Sequence, residues 1–230
     1  MKKTLLTLTS AALLSSAAQA EQFWSDTSIS VLEGSSYTNA FSGDDETYTT
    51  TTLEHVSGHS WGGLFMFVDR HVGDITETYA EVSPKVSLLK LDGFVSGVNA
   101  AMTYESGSSQ FANFDNYLYG VGLDLSIPGM NFASATFYRA YNDGDDDNQI
   151  TLTYGASTGN FNVDGYVDYS FDNDSAEDQL MINPQITYNI GPMLGISNKV
   201  KLGVEYFYWQ NKIGQTEDQS AVSLLLKAHL

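Results

Sequence analysis

The segment YLYGVGLDLSIPGMNFASATFYRAY, residues 117–141, decides the fold class. In its first half Tyr119, Val121 and Leu123 alternate with glycine or aspartate. Successive side chains of an extended strand point to opposite faces, so one face of this run is apolar and the other is small or polar. Pro128-Gly129 interrupts the run, and a second alternating run follows. This order predicts a β-hairpin with a tight turn.

The same alternation recurs along the chain and predicts about twelve strands. An even number of amphipathic strands is typical of a closed barrel whose apolar face meets lipid. No segment after position 20 approaches the ~20 apolar residues of a membrane helix, so any crossing would be made by strands. The predicted fold is therefore all-β, a transmembrane antiparallel up-and-down β-barrel. The predicted strands are residues 25–33, 47–56, 61–70, 78–88, 94–105, 117–127, 132–141, 149–156, 161–171, 179–190, 199–209 and 219–230.

The connections between these strands alternate in length. Short turns are predicted at one end of the barrel, as periplasmic turns would be, and longer polar loops at the other, extracellular end. Pro84 and Pro184 fall inside strands, where a missing backbone N–H predicts β-bulges. The predicted turns include residues 57–60, 128–131 and 157–160, and the predicted loops are residues 35–46, 107–116, 142–148 and 172–178.

The first twenty residues are typical of a secretory signal peptide. Lys2-Lys3 precedes an apolar run and Ala18-Gln19-Ala20 forms a small-x-small cleavage site, which leaves residues 21–230 as the barrel domain. A retained membrane helix is the alternative. Eight of the ten basic residues and all 28 acidic residues follow position 20, so the net charge there is −20. Such a charge argues against nucleic acid as a partner, and the lack of cysteine excludes disulfides.

The order of several short motifs resembles the nucleoside-specific channel-forming Tsx family, in particular its OmpK-like branch. The resemblance implies a monomeric twelve-stranded barrel in the outer membrane of a Gram-negative bacterium, with a narrow pore for nucleosides, and some members of the family serve as phage receptors. Gly63 and the terminal Leu230 depart from the family pattern. The motifs are FWSDTS at 23–28, LEHVSG at 53–58, WGGLFMFVD at 61–69, EVSPKVS at 81–87, TYE at 103–105, YLYGVGLDL at 117–125, IPG at 127–129 and FYR at 137–139.

A channel for nucleosides needs aromatic faces for the base and polar groups for the ribose. Strand parity predicts which side chains face the lumen and could form such a weak binding site. The alternative for the inward aromatics is that they only plug the barrel or pack under a folded loop. The inward carboxylates are predicted to form ion pairs with lysines across the pore, and the alternative is that these groups simply satisfy one another as buried polar side chains. The surplus of carboxylates disfavours anions. The predicted lumenal site residues are Phe65, Phe67, Asp69, Glu81, Glu105, Asp124, Tyr166, Asp168, Glu205, Phe207 and Trp209, and the lysines are Lys85, Lys199, Lys201 and Lys227.

Neither an enzyme nor a metal protein is predicted. The chain contains no Gly-x-Ser-x-Gly and no His-Glu-x-x-His motif, and the acidic segment 143–148 lacks the glycine and the final acidic residue of a calcium loop. We therefore expect a channel without a cofactor, with outer-membrane lipid, lipopolysaccharide and small uncharged solutes as partners. The competing hypothesis is a non-conducting outer-membrane surface protein, either an adhesin or a phage receptor.

Overall fold

The computed structural model is a closed barrel of twelve antiparallel strands in sequence order, which confirms the predicted fold. It describes residues 21–38, 45–73, 75–142, 146–174, 176–196, 199–212 and 218–230, so the predicted signal peptide lies outside the described residues. The strands are β1 (Gln22–Thr38), β2 (Asp45–His59), β3 (Gly62–Val72), β4 (Thr76–Lys90), β5 (Val95–Ser109), β6 (Asn113–Leu125), β7 (Phe132–Tyr141), β8 (Asp147–Thr158), β9 (Phe161–Phe171), β10 (Gln179–Asn189), β11 (Val200–Gln210) and β12 (Gln219–His229), with a short helix α1 (Gly191–Leu194) between β10 and β11.

The barrel closes where the last strand pairs with the first. Ser30 lies opposite Lys227 and Leu32 lies opposite Leu225, with β1 and β12 antiparallel. Closure leaves no free sheet edge, so every strand has a hydrogen-bonded neighbour on both sides. None of the helices in the described ranges is both long and apolar enough to cross a bilayer.

The alternation of side chains separates an apolar outer face from a polar interior. On β12 the inward residues Ser223, Leu225 and Lys227 are almost fully buried, whereas the intervening leucines are about half exposed. The same contrast recurs around the barrel, so the outer face forms an exposed apolar belt. Large side chains in this belt include Ile29, Val31, Leu53, Val68, Val121, Phe137, Leu152, Ile186, Leu202, Leu224 and Leu226.

Several strands continue beyond the predicted limits. β5 runs to Ser109 and β6 begins at Asn113, so the long loop predicted at 107–116 is wrong. β1 and β2 likewise take up half of the segment predicted as a loop at 35–46, and residues 39–44 lie outside the described ranges. The predictions fail because they used the apolar alternation, which ends before the strands do. The backbone hydrogen bonds between strands need no apolar side chains, so the strands continue beyond it.

The bulges predicted at the two prolines are also wrong. Pro84 pairs with Leu64 and Pro184 with Gly165, both in continuous register. Each proline has no paired residue on its second neighbouring strand, which is β5 for Pro84 and β11 for Pro184. The register of that strand pair is the same before and after the gap. A missing N–H therefore interrupts one ladder at each site without inserting an extra residue.

Candidate lumenal site

The strand register puts all eleven predicted site residues on the inward face. On β3 the residues Phe65, Phe67 and Asp69 alternate with the outward Leu64, Met66 and Val68. Phe67 lies opposite Glu81, and Glu81 lies opposite Glu105, so one row of inward residues crosses three strands. On the far wall Asp168 pairs with Met181, and Met181 pairs with Trp209. A role for these residues in solute binding remains a prediction.

Five inward carboxylates lie near one another, four of them around Tyr166. We call this set, Asp69, Glu81, Glu105, Asp168 and Glu205, the acidic lumenal cluster. Glu81 on β4 interacts electrostatically with Glu105 on β5 and with Asp168 on β9, which is five strands away. Asp69 on β3 interacts with Glu205 on β11 in the same way. The cluster therefore spans the lumen from wall to wall.

Neutral side chains hold the carboxylates of this cluster. The Tyr79 hydroxyl donates to Glu81 at 2.7 Å, the Asn116 amide donates to Glu105 at 3.0 Å, and the Gln185 amide donates to Glu205 at 2.8 Å. The Thr52 and Thr151 hydroxyls donate to Asp69 and Asp168. Within the described parts of the chain, none of the five forms an ion pair. The cluster is therefore held by neutral donors on the inward face of the barrel.

The predicted ion pairs across the pore form only in part. Lys85 Nζ lies 2.6 Å from Asp124 Oδ1, two strands away, and Lys227 Nζ lies 3.5 Å from Glu54 Oε1. His229 Nδ1 lies 2.9 Å from Asp26, a pair that the sequence did not indicate. Because a barrel staggers its strands, inward parity alone does not determine which inward charges meet.

Two runs of aromatic rings line the interior. In one, Phe67 is 5.7 Å from both Phe65 and Tyr79, and Tyr79 is 6.2 Å from Phe114, measured between ring centroids. The second run joins Trp209, Phe207, Tyr37, Tyr48 and His71, with neighbouring centroids 5.0–6.1 Å apart. The Trp209 face is partly occupied, because Lys212 Nζ lies 5.1 Å from its ring. Both Phe67 and Trp209 therefore present a ring to the lumen that a flat solute could stack on.

Sequence reasoning missed several inward aromatics. Tyr37 and Phe114 fall in segments that were predicted to be loops, so no face was assigned to them. Tyr79 is two residues before Glu81 on the same strand, and extending the parity of β4 would have placed it in the lumen. Among the described residues no group of three or more potential ligands could hold a metal ion. Residues 143–145 of the acidic segment lie outside the described ranges.

These features define a class: a closed twelve-stranded β-barrel with an apolar outer belt and an acidic, aromatic-lined interior. The chain belongs to the family described as "Domain of unknown function (DUF5020)", whose model matches residues 33–218. No curated protein sequence matches the chain.

Solved structures share the fold at low sequence identity. The chain is similar to a "KdgM porin" (TM-score 0.54, 12% identity, 87% of this chain and 98% of that chain). It is similar to a "NanC porin" (TM-score 0.55, 12% identity, 88% and 98%). A further match is a "KdgM porin in complex with disordered oligogalacturonate" (TM-score 0.53, 10% identity, 87% and 98%). At these identities the likeness establishes the barrel architecture alone.

Proposed function

We propose that this protein is an outer-membrane channel of a Gram-negative bacterium that lets small solutes diffuse through its lumen. The observation that carries the proposal is the acidic lumenal cluster, which lies beside aromatic rings on the inward face of a closed barrel with an apolar belt. In water this belt would expose a large apolar surface, whereas in a bilayer lipid would cover it. The belt therefore supports a membrane location. Outer-membrane lipid and lipopolysaccharide would then surround the barrel.

The solutes that suit this lumen are uncharged or cationic. Carboxylates without cationic partners repel anions and attract cations along a narrow path. One similar porin was solved in complex with oligogalacturonate. That solute carries several negative charges, which the lumenal carboxylates would repel, so the shared fold does not make it a suitable solute for this chain. Passage needs no bond to be made or broken, and the proposal involves neither an enzymatic step nor a cofactor.

Nucleosides are the particular solutes that we propose, in keeping with the resemblance to the Tsx family. A nucleobase would exchange hydration for stacking on Phe67, and the ribose hydroxyls would donate to Glu81 and Asp69. Stacking of ~1–3 kcal/mol per base is strong enough to slow a solute and weak enough to release it. As in that family, the protein would work as a monomer.

The test is uptake of adenosine by liposomes that contain the purified protein. Wild-type protein should give saturable uptake, and Phe67→Ala should weaken the saturation because a stacking face is lost. The matched control is Phe137→Ala, which removes an aromatic ring from the outer face and should leave the uptake curve unchanged. Uptake that stays linear in adenosine concentration for all three proteins would overturn the nucleoside proposal.

A second candidate is a non-conducting surface protein, acting as an adhesin or phage receptor. The observation in its favour is a cluster of buried inward side chains on the wall formed by β5, β6 and β7, namely Ala101, Leu118, Tyr138 and Ala140. Such packing inside the barrel is what a closed lumen would need. A closed lumen would admit no solute of any kind. The absence of liposome swelling with small sugars would therefore favour this candidate.

A further inference from the structure

Asp147 is a buried carboxylate that the proposed function does not use. It begins β8, faces inward opposite Ala140, and is only 7% exposed. Its Oδ1 atom forms no hydrogen bond to the described residues. Most buried polar atoms in proteins have a partner, and one without a partner is costly. This oxygen is therefore suited to a ligand that brings a hydrogen-bond donor.

Asp147 adjoins one end of the acidic lumenal cluster. Its charge acts on Glu105, and Glu105 in turn acts on Asp168. Glu81 lies directly opposite Glu105 on the neighbouring strand and also interacts with Asp168 across the lumen. We call Glu81, Glu105, Asp147 and Asp168 the four-carboxylate site.

The site has little positive charge of its own. Like charges directly opposite each other on neighbouring strands are destabilising, and none of the four carboxylates forms an ion pair within the described ranges. The Arg139 guanidinium acts on Asp147, but Arg139 lies on the outer face opposite Tyr119 and pairs with Asp146 at 3.8 Å. Lys227 acts on the two members of the acidic lumenal cluster that lie outside the site. A solute that carries positive charge would therefore complement the four carboxylates.

The spacing of the site favours an extended organic cation over a metal ion. Asp147 is four residues before Thr151 on β8, and Thr151 lies opposite Asp168, so the two aspartates are offset by about 13 Å along the strands. In the part of the chain that the structure describes, no group of three or more potential ligands could hold a metal ion. Ammonium groups spaced along one chain could reach carboxylates that a single ion could not bridge.

Aromatic rings follow the same wall as these carboxylates. The Tyr79 hydroxyl donates to Glu81 at 2.7 Å, and the Tyr79 ring lies between the rings of Phe67 and Phe114. Phe114 covers Gly107, which is nearer the β5–β6 turn, since a methyl group added there would lie 2.1 Å from its ring. Aromatic faces attract ammonium groups, and they can pack against methylene chains. Carboxylates and rings together suit a methylene chain that carries ammonium groups.

We propose that the four-carboxylate site binds a linear polyamine, an inference that rests on the proposed channel function for the solute's route into the lumen. One ammonium group would donate to Asp147 Oδ1, and a second would donate to Glu81 and Glu105 and offset the repulsion between them. The methylenes between them would pack on the Tyr79 and Phe114 rings. This narrows the cationic solutes that suit the lumen to one chemical class.

The test is block of single-channel current by spermidine, a linear triamine, in planar bilayers that contain the full-length protein. The comparison solutes are butylamine, which has one ammonium group, and magnesium, which carries its charge on one ion, all at equal ionic strength. Spermidine should block at concentrations at least about tenfold lower than either, because it alone can form charge-assisted hydrogen bonds at both ends of the site.

Substitutions locate the block within the lumen. Asp147→Asn should weaken the block by spermidine about tenfold and leave the block by butylamine unchanged, because only the longer amine reaches both ends of the site. The matched control is Asp164→Asn, which neutralises another inward carboxylate on β9, opposite Gln185, and should leave the block by spermidine unchanged. Glu105→Gln is a second test variant with the same expected loss for spermidine. The folded band on unheated gels shows which variants form a barrel.

Equal block by spermidine and butylamine would overturn the inference, as would a spermidine block that neither Asp147→Asn nor Glu105→Gln weakens. The outcome is separable from that of the proposed function. A protein that conducts but is not blocked by spermidine would refute only the polyamine site. An inserted protein that does not conduct would refute the channel, and calorimetric titration of the detergent-solubilised protein would then test the site. Saturable spermidine binding that Asp147→Asn weakens would support the site, and no binding would refute it.

Discussion

Replacing Leu152 by arginine tests whether the outer belt of the barrel faces lipid. Leu152 lies at the middle of β8 on the outer face, is 42% exposed, and pairs with Ala135 and Val167. An arginine at that depth of a bilayer costs about 2–4 kcal/mol, which lowers the folding equilibrium constant by about 30- to 700-fold. In water the same substitution would cost almost nothing, because the guanidinium would be solvated.

The assay is urea unfolding of the protein in phosphatidylcholine vesicles, followed by tryptophan fluorescence and by gel mobility without heating. The matched control is Thr158→Arg, on the same strand and the same face but at the end next to the β8–β9 turn, where the cost should fall to about 0–1 kcal/mol. Leu152→Arg should lower the unfolding midpoint clearly and Thr158→Arg only slightly. If both variants shift the midpoint equally little, the belt does not face lipid and the reasoning fails.

Three further substitutions test the interior. Gly120→Ala should destabilise the barrel by about 1–3 kcal/mol, because the added methyl group would lie 2.0 Å from the Phe137 carbonyl oxygen, whereas Gly63→Ala should be tolerated with its nearest neighbour at 3.6 Å. The same urea titration checks both, and equal midpoints would show that the strands do not approach as described. Lys85→Gln should raise the preference for cations, because it removes the partner of Asp124 and leaves that carboxylate facing the lumen. A zero-current potential identical to that of wild type in a potassium chloride gradient would contradict this.

The face of each side chain was predictable where a strand alternates without interruption. On β10 the apolar set and the polar set separate cleanly. On β3 the outward Leu64, Met66 and Val68 fixed the lipid-facing side, so the inward positions of Phe67 and Asp69 followed from parity. The ends of strands were not predictable in this way. Residues such as Ser106, Ser108 and Ser109 continue the ladder on β5 beyond the predicted strand, where polarity no longer distinguishes a strand from a loop. Tyr37 and Phe114 were missed for this reason.

The contacts between inward charges could not be predicted, because they depend on the stagger between strands. Lys227 meets Glu54 across β1, and the two residues are far apart in sequence. In the same way, Ser30 lies beside Lys227 only because β1 pairs with β12. Serine and lysine in an alternating strand look the same in sequence whether or not they meet, and only the closed register distinguishes the two cases.

The most direct test of the central claim is single-channel recording of the purified protein in planar bilayers under a potassium chloride gradient. We expect discrete conductance steps and a zero-current potential with the sign of a cation-preferring pore. In the triple variant Asp69→Asn, Glu81→Gln, Glu105→Gln, this potential should move towards zero. Steps with an anion-preferring potential would contradict the role of the acidic lumenal cluster. A folded, inserted protein that gives no steps would contradict the channel itself.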